Sequence, residues 1–286
     1  MASSNGVPVG FDERHFAPMR DSTELLGQPL ALRARYLDEG YVLLRGVLDP
    51  ALVRSARANY FAGFPPEYFK AGTALADGVY SGYTPEPLRR YGVPGHPAHA
   101  FVRSSAFAAF ADQPALADLA ATILDHPVFR LRRTPLRHFD RACAMASRAH
   151  VDQAYLSGEV SGADTVTMWI PLGDCPIESG AVVYLSGSHR ADLGAQARQH
   201  APVTDRPDDP RPFSHDLEWA ARVLGGRWLW TDFLAGDIAM HRADLLHATL
   251  DTTTDVMRLS TDLRFQRTGT PVDVRWTADW SADDGA

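Results

Sequence analysis

The chain has 286 residues, of which 45% are hydrophobic and 22% charged, values that are ordinary for a globular protein with a sizeable core. Its net charge of −7 argues against a nucleic-acid partner, since nucleic-acid binding is typical of basic domains. No stretch approaches the roughly 18 consecutive apolar residues that span a membrane, and the N-terminus lacks the basic and apolar regions of a signal peptide, so we expect no membrane partner.

The first part of the chain carries helical patterns around one strand-like stretch. Residues 1–25 contain Pro, Gly and Ser without a clear period, and they predict a loosely ordered lead-in. Apolar residues at helical spacing predict a short helix over 28–40 that ends at Gly40. The β-branched and apolar stretch 41–48 predicts a strand, and Asp49 with the proline after it is typical of the start of another helix.

After a further predicted helix at 114–125, the pattern changes to short apolar runs separated by Gly, Pro, Asp and Ser. Helices followed by many short strands predict a mainly β fold with helical cover, in which an antiparallel sandwich or barrel packs against the N-terminal helices. Residues 190–222 interrupt the strands with Pro, Asp and Arg, which predicts an insertion that is either a lid or disordered. No internal repeat is visible, so residues 1–286 are predicted to form one domain.

The two cysteines, Cys143 and Cys175, lie far apart in the sequence and form no CxxC pattern. Their spacing argues against a fold held together by disulfides and against a zinc site built from thiolates. Because free thiols suit a reducing compartment, we expect the protein to be cytoplasmic.

The segment His150-Val-Asp152 places an imidazole and a carboxylate two residues apart, just after a strand-like stretch. Side chains alternate faces along a strand, so His150 and Asp152 are expected to point the same way and to reach one ion. The facial triad of non-haem Fe(II) oxygenases, two histidines and one carboxylate, needs a second histidine from elsewhere. Taken alone, a His-x-Asp segment is more often a pair of polar residues than half of a metal site.

Two histidines in the segment 236–266 are candidates for the third metal ligand. His241 and His247 both lie in strand-like sequence, and spacing alone does not choose between them. The ordinary alternative for either one is a buried strand histidine with its hydrogen bonds satisfied, and we favour that interpretation for His241.

Residues downstream of these histidines suggest a binding site for a carboxylate. The stretch 251–255 predicts a turn, and the strand after it carries Arg258 and Ser260 on one face. An arginine at this place is suited to bind a co-substrate carboxylate through two hydrogen bonds, and Thr249 shares the face of His247 and could add another. Without the histidines, Arg258 would be interpreted as a solvent-facing residue.

The order of these elements resembles that of the phytanoyl-CoA dioxygenase-like family of Fe(II)/2-oxoglutarate oxygenases. Between the two histidine segments the family has apolar-Trp-x-x-Leu-x-Asp, then Asn/Glu-x-Gly-Ala, then Pro-Gly-Ser-His. The matching residues here are Trp169, Leu172, Asp174, Glu178, Gly180, Ala181 and Gly187-Ser-His189. The stretch 37–53 is also similar to the N-terminal motif of the family, so the resemblance covers about residues 37–267. The chain departs from the family pattern at Ser186, where the family usually has a proline before the glycine.

The resemblance implies a double-stranded β-helix, which is a jelly-roll or cupin-like core of two antiparallel sheets, flanked by N-terminal helices. It implies that His150, Asp152 and His247 bind Fe(II), because the distal histidine of the family follows Gly-Asp by the longer step and precedes a small residue. His241 does not meet that description.

The resemblance also implies residues for the co-substrate 2-oxoglutarate. Arg258 matches the family arginine that binds its carboxylate, and Thr249 stands in the place of a hydroxyl that touches the same carboxylate. The family places Trp169 close to the cofactor, although core packing is the more common role for a tryptophan in such a strand. Ser260 is expected beside Arg258. Many members use one more basic or polar residue from the strand before His-x-Asp, and the sequence does not choose among the three candidates Arg137, His138 and Arg141.

The implied reaction consumes O₂ and 2-oxoglutarate, releases succinate and CO₂, and oxidises a small molecule of a specialised biosynthetic pathway. Related halogenases replace the iron-binding carboxylate with a small residue, so Asp152 favours hydroxylation, desaturation, epimerisation or cyclisation over halogenation. The alternatives are a jelly-roll binding protein without catalysis and a metal-dependent hydrolase, which would leave Arg258 without a role. The sequence predicts neither the substrate nor the oligomeric state.

Overall fold

The computed structural model describes residues 2–86, 88, 91, 93–142, 146–156, 159–200 and 203–280, so Cys143 lies outside the described residues. The described residues form seven α-helices and twelve strands, joined by loops and single-turn 3₁₀ helices. The helices are α1 Pro29–Glu39, α2 Pro50–Phe61, α3 Pro97–Phe101, α4 Ser105–Ala111, α5 Pro114–Leu124, α6 Leu193–Gln199 and α7 Leu217–Leu224. The strands are β1 Ala2–Ser4, β2 Val7–Val9, β3 Phe16–Pro18, β4 Tyr41–Leu44, β5 Val128–Arg130, β6 Leu136–Phe139, β7 Thr165–Pro171, β8 Val182–Leu185, β9 Trp228–Trp230, β10 Ile238–His241, β11 His247–Thr249 and β12 Arg258–Arg267.

The helix ends predicted from local sequence are confirmed. Helix α1 ends at Gly40, whose φ of 81° lies in the left-handed region that favours glycine. The Asp49 carboxylate accepts a hydrogen bond from the Ala51 amide at 2.8 Å and caps α2, whose first residue is a proline. The strand predicted at 41–48 is shorter than expected, since β4 ends at Leu44.

Two larger sheets and one hairpin contain all twelve strands of the described chain. The six-stranded sheet has the order β4-β10-β7-β12-β5, with β6 also pairing with β12, and its pairs are antiparallel. The four-stranded sheet has the order β11-β8-β9-β3, and only its β3–β9 pair is parallel. The predicted antiparallel sheets with N-terminal helices are therefore present. Strands do not dominate as expected, because α-helices contain at least as many of the described residues as strands do. The fold is therefore mixed.

The two faces of the six-stranded sheet differ in character because side chains alternate along its strands. One face packs against α1, α2 and α5, and on β12 it carries Leu259, Leu263 and Phe265. The opposite face takes part in an apolar cluster that joins β4, β7 and β10 to β8 of the four-stranded sheet. On β12 this inner face carries buried polar side chains, Arg258, Ser260, Asp262 and Arg264. The polar interior between the sheets is where a binding site can form.

The N-terminal lead-in and the described part of the 190–222 insertion both contain secondary structure, which argues against disorder and leaves the lid interpretation of the insertion as a prediction. Residues 2–25 contain β1, β2 and β3, and Phe16 is buried in a cluster on the outer face of the four-stranded sheet. The described part of the insertion carries α6 and the start of α7. The Phe213 amide donates a hydrogen bond of 2.7 Å to the Ala149 carbonyl, so the insertion is attached beside the predicted metal ligands. Both segments gain order from contacts with residues distant in sequence. Among the described helices, none has the length and apolar character needed to span a membrane.

Candidate active site

The two predicted metal histidines lie on backbone segments that pair with each other. The amide of His150 donates to the carbonyl of His247 at 2.9 Å, and the amide of His247 donates to the carbonyl of His150 at 2.9 Å. The two imidazole ring centres are 4.2 Å apart. Val151 is extended, with φ −113° and ψ 140°, so Asp152 lies on the same side as His150, at the start of the 3₁₀ helix Asp152–Tyr155.

The three side chains converge on one point. One ligand atom from each of His150, Asp152 and His247 lies within 4.8 Å of the others, and all three residues are buried. This is the metal-binding group of the described residues, and it does not include His241. The choice of His247, which spacing alone left open, therefore agrees with the geometry.

Hydrogen bonds orient both imidazoles for metal binding. The Nδ1–H of His150 donates to the Arg148 carbonyl at 2.6 Å, and the Nδ1–H of His247 donates to the Leu245 carbonyl at 3.0 Å. A carbonyl only accepts, so Nδ1 carries the proton and Nε2 keeps its lone pair for a metal. Burial lowers the pKa of both histidines, that of His247 well below its ordinary value with a further contribution from His150, so the imidazoles stay neutral at neutral pH.

The Asp152 carboxylate accepts hydrogen bonds from two side chains. Arg264 donates from Nη2 to Oδ1 at 2.7 Å and from Nε to Oδ2 at 3.2 Å, and the Thr167 hydroxyl donates to Oδ2 at 2.5 Å. Burial opposes ionisation, but Arg264 and the neighbouring histidines outweigh it and hold the pKa of Asp152 well below its ordinary value. The carboxylate is therefore ionised and fixed in orientation, as a metal ligand requires.

His241 lies behind this group. Its Nε2 is 3.4 Å from Asp152 Oδ2, its Nδ1 is 3.0 Å from the Tyr184 hydroxyl, and its ring centre is 4.6 Å from that of His247. It is a buried strand histidine, as favoured from the sequence, but its hydrogen bonds are not all satisfied as expected, because Nε2 has no hydrogen-bond partner among the described residues.

Two neutral imidazoles and one carboxylate fit a divalent first-row metal ion such as Fe(II). The donor set leaves the remaining positions of an octahedral ion to co-substrate and solvent. These side chains suit a metal ion because their protonation states are fixed. The Arg148 and Leu245 carbonyls keep the protons of the two histidines on Nδ1, and Arg264 keeps the aspartate ionised.

Comparison with known proteins agrees with this geometry. The profile of the phytanoyl-CoA dioxygenase (PhyH) family matches residues 36–260. The chain belongs to the phytanoyl-CoA dioxygenase family. With the His-Asp-His group in place, it is an Fe(II)/2-oxoglutarate-dependent dioxygenase.

Relatives of known sequence and structure cover most of the chain. The 1-deoxypentalenic acid 11-beta-hydroxylase of Streptomyces arenae is 27% identical over 260 residues, which is 88% of this chain and 86% of the relative. The epimerase SnoN, in complex with Fe³⁺, alpha ketoglutarate and nogalamycin RO, has a TM-score of 0.58 at 23% identity, covering 91% of this chain and 93% of its own. EctD from S. alaskensis, with 2-oxoglutarate and 5-hydroxyectoine, has a TM-score of 0.58 at 16% identity, covering 92% and 83%. The two structures share the fold.

The residues expected to bind 2-oxoglutarate are all buried between or beside the sheets. Arg258 lies with its guanidinium 4.3 Å from the ring centre of Phe139, and its Nη1 donates to the Ser260 hydroxyl at 3.0 Å. Thr249 follows His247 by two residues, and its hydroxyl accepts a hydrogen bond from the Ser147 amide at 2.7 Å. Trp169 packs against Phe233 in the cluster between the sheets, two residues from Thr167. Burial lowers the pKa of Arg258 to about 10, so the guanidinium remains charged.

The three upstream candidates lie in different surroundings. Arg137 is on the inner face of β6, with Nε 3.5 Å from Asp262 Oδ2. His138 is on the opposite face, under the helices, with Nδ1 2.8 Å from the Tyr60 hydroxyl. Arg141 lies beyond the strand, its side chain 57% exposed, and pairs with Asp255 at 3.1 Å. Of the three, Arg137 is on the side of the metal ligands.

Three residues near the ligands were not found from the sequence: Arg264, Thr167 and Tyr184. Because side chains alternate along β12, the sequence could have shown that Arg264 lies on the same face as Arg258. Nothing in the local sequence links Arg264 to Asp152. Thr167 and Tyr184 lie on β7 and β8, and their contacts with the histidine and carboxylate groups depend on how the two sheets pack.

A cavity of about 230 Å³ opens in front of the ligands. His150 and Asp152 form part of its wall, together with aromatic side chains such as Tyr155 and Trp276. Residues from the insertion, including Arg211, complete the wall on the other side. The cavity therefore opens directly beside two of the three metal-binding side chains.

Proposed function

We propose that this dioxygenase hydroxylates a small organic molecule of a specialised biosynthetic pathway, with O₂ and 2-oxoglutarate consumed and succinate and CO₂ released. The observation that carries the proposal is the buried group of His150, Asp152 and His247. The hydroxylase relative and the natural-product epimerase support a biosynthetic role. Because a carbocyclase also shares the fold, epimerisation, cyclisation and desaturation are alternative outcomes from the same site.

We further propose a double-stranded β-helix within a single domain spanning 1–286, acting in the cytoplasm. The facing sheets and the apolar cluster between them support the jelly-roll topology. Side chains from the lead-in and the insertion share one cluster with the four-stranded sheet, which supports a single domain. Cys175 is a buried free thiol, in keeping with a reducing compartment.

Different residues of the chain are proposed to bind the metal and the co-substrate. His150, Asp152 and His247 would hold Fe(II), which together with 2-oxoglutarate and O₂ supplies the oxidising chemistry. Arg258 is proposed to bind the far carboxylate of 2-oxoglutarate, since it is only 3% exposed and its Nε has no hydrogen-bond partner among the described residues. Ser260 and Thr249 would orient Arg258 and that carboxylate, and Trp169, which packs against Phe233, would lie beside the cofactor.

The proposed activity can be tested without knowing the substrate. Anaerobic addition of Fe(II) and 2-oxoglutarate is expected to produce a weak visible charge-transfer band, and admission of O₂ is expected to release succinate slowly. A jelly-roll binding protein or a hydrolase with the same ligands would give neither signal. Absence of both the band and succinate would contradict the proposed function.

Arg258→Ala is expected to weaken 2-oxoglutarate binding about 10- to 100-fold, because it removes charge-assisted hydrogen bonds to a carboxylate in a buried site. Titration of the charge-transfer band with 2-oxoglutarate measures this directly, and iron binding should be retained. Arg141→Ala is the matched control, since Arg141 is mostly exposed and pairs with Asp255. An unchanged dissociation constant for 2-oxoglutarate in Arg258→Ala would count against this role.

A further inference from the structure

His241 is a buried histidine that lies against a metal ligand without belonging to the metal-binding group. Its side chain is 1% exposed, and its Nε2, which has no hydrogen-bond partner among the described residues, is 3.4 Å from Oδ2 of Asp152. Its other ring nitrogen, Nδ1, is 3.0 Å from the hydroxyl of Tyr184. A buried polar nitrogen without a hydrogen bond is costly, so we expect Nε2 to have a role beside the carboxylate.

The contacts of His241 decide which of its nitrogens carries the hydrogen. If Nδ1 carried it, the lone pair of Nε2 would face a carboxylate oxygen, and the Tyr184 hydroxyl would lack an acceptor among the described residues. If Nε2 carries it, the hydroxyl donates to Nδ1 and an N–H dipole faces Oδ2 of Asp152. The second arrangement avoids the repulsion and gives the hydroxyl an acceptor, so the hydrogen is assigned to Nε2.

The two carboxylate oxygens of Asp152 have different surroundings. Oδ2 is approached by the Thr167 hydroxyl at 2.5 Å, by Nε of Arg264 at 3.2 Å and by Nε2 of His241 at 3.4 Å. Oδ1 is 2.7 Å from Nη2 of Arg264 and 3.9 Å from Nε2 of His247. Three N–H or O–H groups of the protein therefore surround Oδ2, and Oδ1 is the oxygen that faces a metal histidine.

His241 also connects the two sheets at the level of the metal ligands. It lies on β10 directly opposite Thr167 of β7, and both strands belong to the six-stranded sheet. Tyr184 lies on β8 of the four-stranded sheet, directly opposite His247 of β11. The hydrogen bond between Tyr184 and His241 therefore joins the sheet that carries a metal histidine to the sheet that supplies the donors to Asp152.

We propose that His241 and Tyr184 are positioning residues for the metal site. The Tyr184 hydroxyl fixes the tautomer of His241, and the Nε2–H of His241 keeps Oδ2 of Asp152 turned toward the protein, so that Oδ1 is the oxygen that binds the metal. Binding through one oxygen leaves more positions of an octahedral ion for 2-oxoglutarate and O₂. This inference rests on the proposed function, in which the same three ligands hold Fe(II).

Calorimetric titration of the metal-free protein with Co(II) under argon tests the role of His241. His241→Leu is expected to bind Co(II) about 10- to 100-fold more weakly, the range typical of residues that orient a metal ligand. His241→Gln should stay within about threefold of the unaltered protein, because the glutamine amide nitrogen can take the place of Nε2 and donate to Oδ2. A histidine that only fills space in the core would give the two variants a similar loss.

A double-mutant cycle tests whether Tyr184 acts through His241. Tyr184→Phe is expected to weaken Co(II) binding about threefold to tenfold, less than the loss of a residue beside the ligand itself. In the His241→Leu background it should have no further effect, because the hydroxyl then has no imidazole to orient. Tyr41→Phe is the matched control and should leave the affinity unchanged, since Tyr41 stacks on Tyr184 but its hydroxyl accepts a hydrogen bond from the Arg20 amide.

Unchanged Co(II) affinity in His241→Leu, an equal loss in His241→Gln, or additive effects of His241→Leu and Tyr184→Phe would overturn the proposal. Thermal unfolding followed by circular dichroism shows which variants are folded. If His241→Leu does not fold, unchanged affinity in Tyr184→Phe overturns the proposal by itself. The charge-transfer band with Fe(II) and 2-oxoglutarate is recorded for the unaltered protein, so a failure of this inference with the band intact is distinct from a failure of the proposed function.

Discussion

Asp152→Ala is expected to lower Fe(II) affinity at least about 100-fold, which exceeds the loss typical of residues that only support metal ligands. Two neutral imidazoles would remain, and Arg264, now without its carboxylate, would place an unpaired positive charge beside the metal position. Repulsion between that guanidinium and a divalent cation adds to the loss of the ligand. Bound iron, measured after gel filtration, and the charge-transfer band should both disappear, and with them succinate release.

The matched control for this substitution is Asp262→Asn. Asp262 is another buried carboxylate on the inner face of β12, but it pairs with Arg137 and is not part of the metal-binding group. Its loss should leave iron binding intact. An Asp152→Ala protein with normal iron content and normal succinate release would disprove the assignment of the metal ligands.

Arg264→Leu is expected to lower Fe(II) affinity about 10- to 100-fold, the range typical of residues that orient a metal ligand. The substitution removes both hydrogen bonds from the guanidinium, so the Thr167 hydroxyl is left as the main side-chain donor to Asp152. Arg264→Lys should give an intermediate affinity, because lysine keeps the charge but not the two-pronged geometry. Isothermal titration with Co(II) or Fe(II) under argon measures the difference.

A nearby arginine of the same strand provides the control for Arg264. Arg267 belongs to β12 but pairs with Asp164 at 3.1 Å, away from the metal ligands, and Arg267→Leu should not change the metal affinity. If Arg264→Leu binds iron as tightly as the unaltered protein, Arg264 does not position Asp152, and any loss of activity would have to arise at the substrate.

Features governed by neighbouring residues were accessible from the sequence. The end of α1 at Gly40 and the Asp49 cap of α2 depend on local backbone preferences. The metal site was predicted from the order of His150, Asp152 and His247 in the sequence. The family resemblance was needed to choose His247, because spacing alone does not show which histidine lies near the other two ligands. Asp152 begins a 3₁₀ helix instead of continuing a strand, yet an extended Val151 is enough to align the two side chains.

Features governed by distant pairing were not accessible. The lead-in forms β3 because it pairs with β9, about 210 residues later, and no local signal reports such a partner. Alternation along β12 places Arg258 and Arg264 on one face, but only the pairing of β12 with β7 brings Arg264 to Asp152. In the same way, only the register of β6 against β12 shows that Arg137 lies on the side of the metal ligands and His138 on the opposite face.

The two backbone hydrogen bonds between His150 and His247 bear on metal selectivity. They connect ligands from two distant parts of the chain through the sheet, and carbonyl groups fix both rings without help from an ion. Such a preorganised chelate is built by folding, so emptying it should not unfold the protein. Because stability along the Irving–Williams series rises from Fe(II) to Ni(II) and Cu(II), this ligand set would accept the later ions more tightly. The supply of iron, more than the shape of the site, would then decide which ion the enzyme carries.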